Sequence, residues 1–136
     1  MTQMTRREDW PERLHDFIAR RACTPFAWGV QDCCRFAADA VLEMTGTDPM
    51  ADLRDYASRE SADALLARLG GLAAAVRGVL GKPIPPALAQ RGDVVLVEVG
   101  DAKALGICLG DVIAAPGPSG LQYAPLDDAR VAWRIG

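Results

Sequence analysis

The fold is indicated most directly by one stretch, Phe26-Ala-Trp-Gly-Val-Gln-Asp-Cys-Cys-Arg35. Asp32 is a residue type that caps helices, and apolar residues at helical spacing follow it. A helix that begins here places Cys33 in its first turn, where backbone N–H groups and the helix dipole favour an anion. A thiolate in that position has a lowered pKa and is a good nucleophile.

The same cysteine also has a purely structural interpretation. Cys33 shares an apolar stripe with Phe36 and Ala37, and cysteine is often a small buried residue. The residues alone leave both interpretations open and favour the structural one, because helix starts are common.

Helical periodicity extends through about residues 1–81 and predicts four helices. Asp9 caps the first helix, and Gly46 closes the second, which begins after Asp32. The third helix runs from about Ser61 to the glycine pair at 70–71, and the fourth helix covers residues 72–80. Between the second and third helices, residues 48–56 are predicted to form a solvated connector.

Strand periodicity takes over at about residues 91–136. Two Gly-Asp pairs separate apolar runs and are typical of hairpin turns. The predicted strands form a β-meander over residues 94–99, 104–109, 112–115, 121–124 and 131–135, with a longer loop at 116–120. The fold class is therefore α+β in a single domain over residues 1–136, with the N-terminal helices packed on one side of a C-terminal antiparallel sheet.

Composition excludes several classes of function. The chain has 136 residues and a net charge of −3, which argues against a nucleic-acid binder. No apolar run is long enough for a membrane span, and the polar start lacks the apolar core of a signal peptide. We therefore expect synthesis and folding in a reducing cytoplasm.

The four cysteines are Cys23, Cys33, Cys34 and Cys108. Their spacing does not supply paired zinc ligands, so no metal and no cofactor are expected. A thiol redox or metal module would need at least three sulfurs, those of Cys33, Cys34 and Cys108, to converge.

Several motifs follow one another in an order that resembles the NlpC-type cell-wall peptidases, which are papain-like enzymes. Trp28-Gly29 and Asp32-Cys33 resemble the nucleophile motif, and Arg91-Gly-Asp-Val-Val-Leu96 resembles the next strand. Leu105-Gly-Ile-Cys-Leu-Gly-Asp111 and Tyr123-Ala-Pro-Leu126 follow in the family's order. The resemblance implies a papain-like fold and suggests the compact, phage-encoded branch of the family.

The resemblance also implies roles for individual residues. Cys33 falls on the nucleophile, and Trp28, Gly29 and Asp32 fall on positions near the substrate. The histidine base corresponds to Ala104, and the polar group that orients it corresponds to a position near Ala114.

One histidine is present in the chain, His15 in the first helix. We expect it to be a surface or half-buried residue. It could replace the missing base only if its imidazole came within about 3 Å of the Cys33 sulfur.

The expected function is therefore that of a structural or assembly protein at the tip of a phage-type tail, with a peptidase-like fold that has lost catalysis. Its expected partners are other tail proteins and murein peptides, in an assembly of multiple copies, with no nucleic acid and no membrane span. Its expected location is the host cytoplasm during assembly and then the virion or tail particle. The alternative is an active cysteine peptidase or amidase that cleaves murein peptides with Cys33 as nucleophile and His15 as base.

Overall fold

A computed structural model describes residues 4–99 and 101–136. Its helices are α1 (Trp10–Arg21), α2 (Cys33–Thr45), α3 (Arg59–Arg68) and α4 (Leu72–Leu80), with short 3₁₀ turns at Pro86–Leu88 and Leu126–Asp128. Its strands are β1 (Val94–Val99), β2 (Ala102–Cys108), β3 (Val112–Gly117), β4 (Gly120–Pro125) and β5 (Ala129–Trp133). Helices first and an antiparallel sheet afterwards confirm the predicted α+β class.

The helix starts differ in detail from the sequence prediction. Asp9 occupies the N-cap position of α1, but its carboxylate accepts a hydrogen bond from Arg13 Nε at 2.9 Å instead of capping the helix. Helix α3 begins two residues earlier than predicted, because Ser58 caps it through a reciprocal pair of hydrogen bonds with Ser61. Gly46 ends α2 with φ +79°, as expected for a left-handed cap.

The sheet is only in part a meander. Its strand order is β4-β3-β2-β1-β5, so β5 does not lie beside β4 but pairs antiparallel with β1 at the opposite edge. The prediction of a five-strand meander was therefore wrong for the last strand. The 3₁₀ turn at Leu126–Asp128 leads the chain to the free edge of β1, whose backbone groups β5 then satisfies.

The predicted loop at 116–120 was also wrong. β3 continues through Pro116 and Gly117, and Gly117 pairs with Gly120 across a two-residue turn. Gly120 has φ +130°, and a side chain there would meet the backbone oxygen of Ala22. The hairpin therefore depends on a glycine at this position.

Strand β1 is buried on both of its faces. Along β1, Val94 and Leu96 pack with the helices, whereas Val95 and Val97 pack on the far face. The far face is covered by residues near the 3₁₀ turns, among them Ile84 and Leu126. This explains why the β1 sequence is a nearly continuous apolar run instead of an alternating one. In the described part of the chain, no helix is both long and apolar enough to cross a membrane.

A buried carboxylate at the start of β1 ties both ends of the described chain to the sheet. Asp93 is 1% exposed and accepts hydrogen bonds from Arg6 Nη2 at 3.0 Å and from the backbone N–H groups of Gln90 and Ile135. Arg6 also donates to the carbonyls of Arg91 and Ile135. One ion pair thus joins the segment before α1, the start of β1 and the segment after β5.

We expect Asp93→Asn to destabilise the fold by about 3–5 kcal/mol, because it leaves the Arg6 guanidinium without its counter-charge in a half-buried site. Urea unfolding followed by circular dichroism measures this change. The matched control is Asp9→Asn, which removes a surface carboxylate paired with Arg13 and should leave the midpoint unchanged. Equal midpoints for both variants would contradict the role given to Asp93.

Candidate functional site

Asp32 organises the start of α2. Its carboxylate is 1% exposed and accepts a hydrogen bond from the Arg35 backbone N–H at 2.9 Å, which caps the helix. It also accepts from the Gly29 N–H at 3.0 Å and from the Tyr56 hydroxyl at 2.7 Å. The Asp32 side chain therefore joins three segments: the turn before α2, the first turn of α2, and the connector between α2 and α3.

Arg35 supplies the positive charge beside this carboxylate. Its Nε lies 3.4 Å from an Asp32 oxygen without forming a hydrogen bond, so the two groups make an ion pair only. Its Nη2 donates to the backbone carbonyls of Arg54 and Tyr56, and its guanidinium carbon lies 4.6 Å from the centre of the Tyr56 ring. These contacts fix the connector between α2 and α3 against the first turn of α2.

The turn before the helix is shaped by a glycine. Gly29 has φ +79°, and a side chain there would approach the Ala57 backbone to 2.9 Å. Trp28 beside it is 39% exposed and stacks edge-to-face on Phe26, with ring centres 4.9 Å apart. Trp28, Gly29 and Asp32, which the family resemblance placed near a substrate, therefore lie together with Cys33 around the start of α2.

Cys33 and Cys34 are both half-buried and open onto the same cavity. The pKa of the Cys33 thiol lies below its ordinary value, because hydrogen bonding from the Cys34 thiol stabilises the thiolate. The backbone N–H of Leu105 on β2 adds to this effect, while burial and the Asp32 charge oppose it. The pKa of Cys34 is raised, because its thiol donates a hydrogen bond to Cys33 and is itself buried. The pair therefore loses its first proton at a lower pH than its second.

His15 is not part of this site. It is exposed on α1, does not line the cavity that contains Cys33, and forms no hydrogen bond with Cys33. No other histidine exists in the chain. The thiolate therefore has no imidazole partner.

The two alanines that stand for the missing partners lie in different places. Ala114 on β3 is fully buried in the cluster shared with α2. Ala104 on β2 packs on the far face of the sheet, whereas its neighbours Lys103 and Leu105 line the cavity with Cys33. Because side chains alternate along a strand, a longer side chain at position 104 would point away from the thiol in this register.

The cavity beside the thiols has a volume of about 180 Å³ and is lined almost entirely by apolar side chains. Its walls come from α2, α3, α4, the connector at residues 49–56, and strands β1 and β2. Helices α3 and α4 cover it loosely, because each has a single buried residue, Ala62 and Val76 respectively. Asp32, Asp63 and Lys103 are the charged residues in the lining.

The other sulfurs do not join Cys33 and Cys34. Cys108 is buried in the far-face cluster, and Cys23 is exposed. Within residues 4–99 and 101–136, no three side chains of metal-binding type form a group that could hold an ion. The convergence of three sulfurs that a thiol redox or metal module requires is therefore not found.

Sequence reasoning missed the part of the site that comes from the connector. Tyr56 was assigned to a solvated segment, but it is 8% exposed, and burial together with its hydrogen bond to Asp32 raises its pKa. No local pattern reveals this contact, since Tyr56 lies 24 residues from Asp32. The contact of Arg35 with Asp32 could have been predicted from the sequence, because Arg35 lies three residues after the capping Asp32.

We expect Tyr56→Phe to lower the free energy of unfolding by about 1.5–3 kcal/mol, because it removes a buried hydrogen bond to a charged group. Urea denaturation measures the loss. Tyr123→Phe, at a 54% exposed position, is the matched control and should have little effect. A Tyr56→Phe protein as stable as the wild type would show that the hydroxyl does not support Asp32.

We expect the alkylation rate of Cys33 to rise with pH through a midpoint below that of an ordinary cysteine thiol, since only the thiolate reacts. Cys34→Ala removes the stabilising hydrogen bond, so this midpoint should move to higher pH. Iodoacetamide labelling mapped by peptide mass spectrometry measures it, in a Cys23→Ser background that removes the exposed thiol. An unchanged midpoint in Cys34→Ala would contradict the proposed pairing of the thiols.

Comparison with known proteins gives a family but no activity. A search of the curated proteins finds no match to this chain. Residues 5–135 match the model of a family described as a domain of unknown function, DUF6950. Because the match covers nearly the whole sequence, the chain belongs to the DUF6950 family.

Proposed function

We propose that this protein is a non-catalytic relative of the NlpC-type peptidases and serves as a structural or assembly component at the tip of a phage-type tail. The observation that carries the loss of catalysis is the isolation of Cys33. It occupies a nucleophile's position at the start of α2, while the chain's one histidine is exposed elsewhere on α1.

Peptide hydrolysis needs more than a reactive thiolate. The leaving amine must receive a proton, and water must then be activated to release the acyl group. A positioned acid–base group contributes about 10²–10⁴ in rate, and members of a catalytic triad act as a unit. A protein with no imidazole beside its thiol would therefore cleave murein peptides very slowly.

The papain-like part of the proposal is supported by the relation between helix and sheet. Helix α2 carries the thiol at its first residue and packs on the antiparallel sheet, and Leu105 of β2 lines the same cavity as Cys33. The motif order over residues 26–126 supports the same relationship. The family resemblance is the basis for the rest of the proposal. It concerns the tail location, the tail-protein partners, the binding of murein peptides, the multiple copies and the final place in a virion or tail particle.

An active cysteine peptidase is the second candidate, and the lowered pKa of Cys33 favours it. This candidate requires a proton donor for the leaving amine. Within the described residues, the cavity lining offers Lys103 and the carboxyl groups of Asp32 and Asp63. The Asp32 carboxylate already accepts three hydrogen bonds. We therefore place this candidate second.

Complementation tests the proposal. In a strain that produces the tail particles, we expect deletion of the gene to abolish complete particles in electron micrographs. Wild-type protein and Cys33→Ser should restore them equally, because assembly needs the fold and not the thiol. Normal particles in the deletion strain would overturn the tail assignment.

Murein digestion tests the loss of catalysis in parallel. Purified wild-type protein should release no more murein peptide than Cys33→Ser, and His15→Ala should make no difference. Release that depends on both Cys33 and His15 would establish the peptidase instead. Release that depends on Cys33 alone would show catalysis with an unidentified proton donor.

A further inference from the structure

The cavity beside Cys33 and Cys34 has the size and chemistry of a site for a small apolar group. Its volume of about 180 Å³ slightly exceeds that of an engineered protein cavity of about 150 Å³ that stays dry and binds benzene. It can therefore hold an apolar group of about six to eight carbon atoms. The loosely packed α3 and α4 provide a route of entry, because little buried surface holds them in place.

The position of the thiols restricts what such a ligand can be. Cys33 and Cys34 lie in the wall of this apolar space, so an apolar chain inside it has a nucleophile alongside. An electrophilic carbon at the end of the chain would then be held close to the sulfur.

We propose that this cavity binds a medium-length acyl chain and that Cys33 accepts the acyl group from a thioester donor. The Cys33 thiolate attacks the carbonyl carbon and forms a new carbon–sulfur bond. The carbon–sulfur bond of the donor breaks, and the donor thiolate takes up the proton that Cys33 has lost. Nothing is oxidised or reduced.

This reaction suits a site that has a nucleophile and no acid–base partner. A thiolate leaves without needing a proton, unlike the amine of a peptide bond. The missing base also leaves water unactivated, and the apolar walls limit its access. The acyl group therefore stays on Cys33 instead of being hydrolysed. This inference goes beyond the tail function and does not depend on it.

Labelling with two thioesters tests the proposal. We expect purified full-length protein mixed with octanoyl-coenzyme A to gain one acyl group, seen by intact mass spectrometry and removed by hydroxylamine. Acetyl-coenzyme A should react at least about tenfold more slowly, since each methylene buried in the cavity favours binding by about fourfold. Equal rates for the two donors would overturn the proposal, because an exposed thiol does not distinguish chain length.

Variants locate the reaction. Cys33→Ser and Cys33→Ala should abolish labelling, whereas Cys23→Ser should preserve it. Octanoyl labelling that persists at full rate in folded Cys33→Ser would overturn the assignment of the acceptor.

A cavity-filling variant tests the acyl site without altering the thiol. Ala75 on α4 lines the cavity, so Ala75→Phe should reduce the octanoyl rate to about the acetyl rate. Ala73 lies on the same helix, is exposed and does not line the cavity, so Ala73→Phe is the matched control. An unchanged octanoyl rate in folded Ala75→Phe would overturn the proposal.

Failure of acylation would leave the complementation result untouched, so the two proposals fail separately.

Discussion

The Asp32 carboxylate is the constraint on which the geometry of the candidate site depends. A buried charge is costly unless hydrogen bonds and an opposite charge compensate for it. Here Gly29, Arg35 and Tyr56 donate to it, and the Arg35 guanidinium lies beside it. Because α2 begins at the next residue, the same contacts that satisfy Asp32 also set the position of Cys33.

A second buried carboxylate, Asp93, has the corresponding role at the sheet. It joins Arg6 to the start of β1 and to the backbone of Ile135. Within the unit made of α2 and the sheet, Asp32 therefore holds the N-terminal end of α2 and Asp93 holds the start of β1. Helices α3 and α4 lie outside this unit and bury little of their surface, which explains why the apolar cavity lies beneath them.

The chemistry of the site follows from what surrounds the thiol. Cys33 has a neighbouring thiol and a backbone N–H that favour its thiolate, but it has no imidazole. A thiolate can attack an activated carbonyl on its own, whereas peptide hydrolysis also needs a positioned proton donor. The proposed loss of peptide cleavage is therefore compatible with a Cys33 thiol whose pKa is lowered.

Local sequence signals were sufficient for most of the secondary structure. The bounds of α4 and β1 match the prediction, and Gly46 ends α2 as expected, because periodicity and capping act over a few residues. They also identified Asp32 as a cap and Cys33 as the first helical residue. Local signals did not predict three features of the tertiary structure. These are the place of β5 beside β1, the contact of Tyr56 with Asp32 and the far-face position of Ala104. Each depends on strand pairing or packing between distant segments, and a short-range pattern carries no information about which distant partner completes a sheet edge or a buried hydrogen bond.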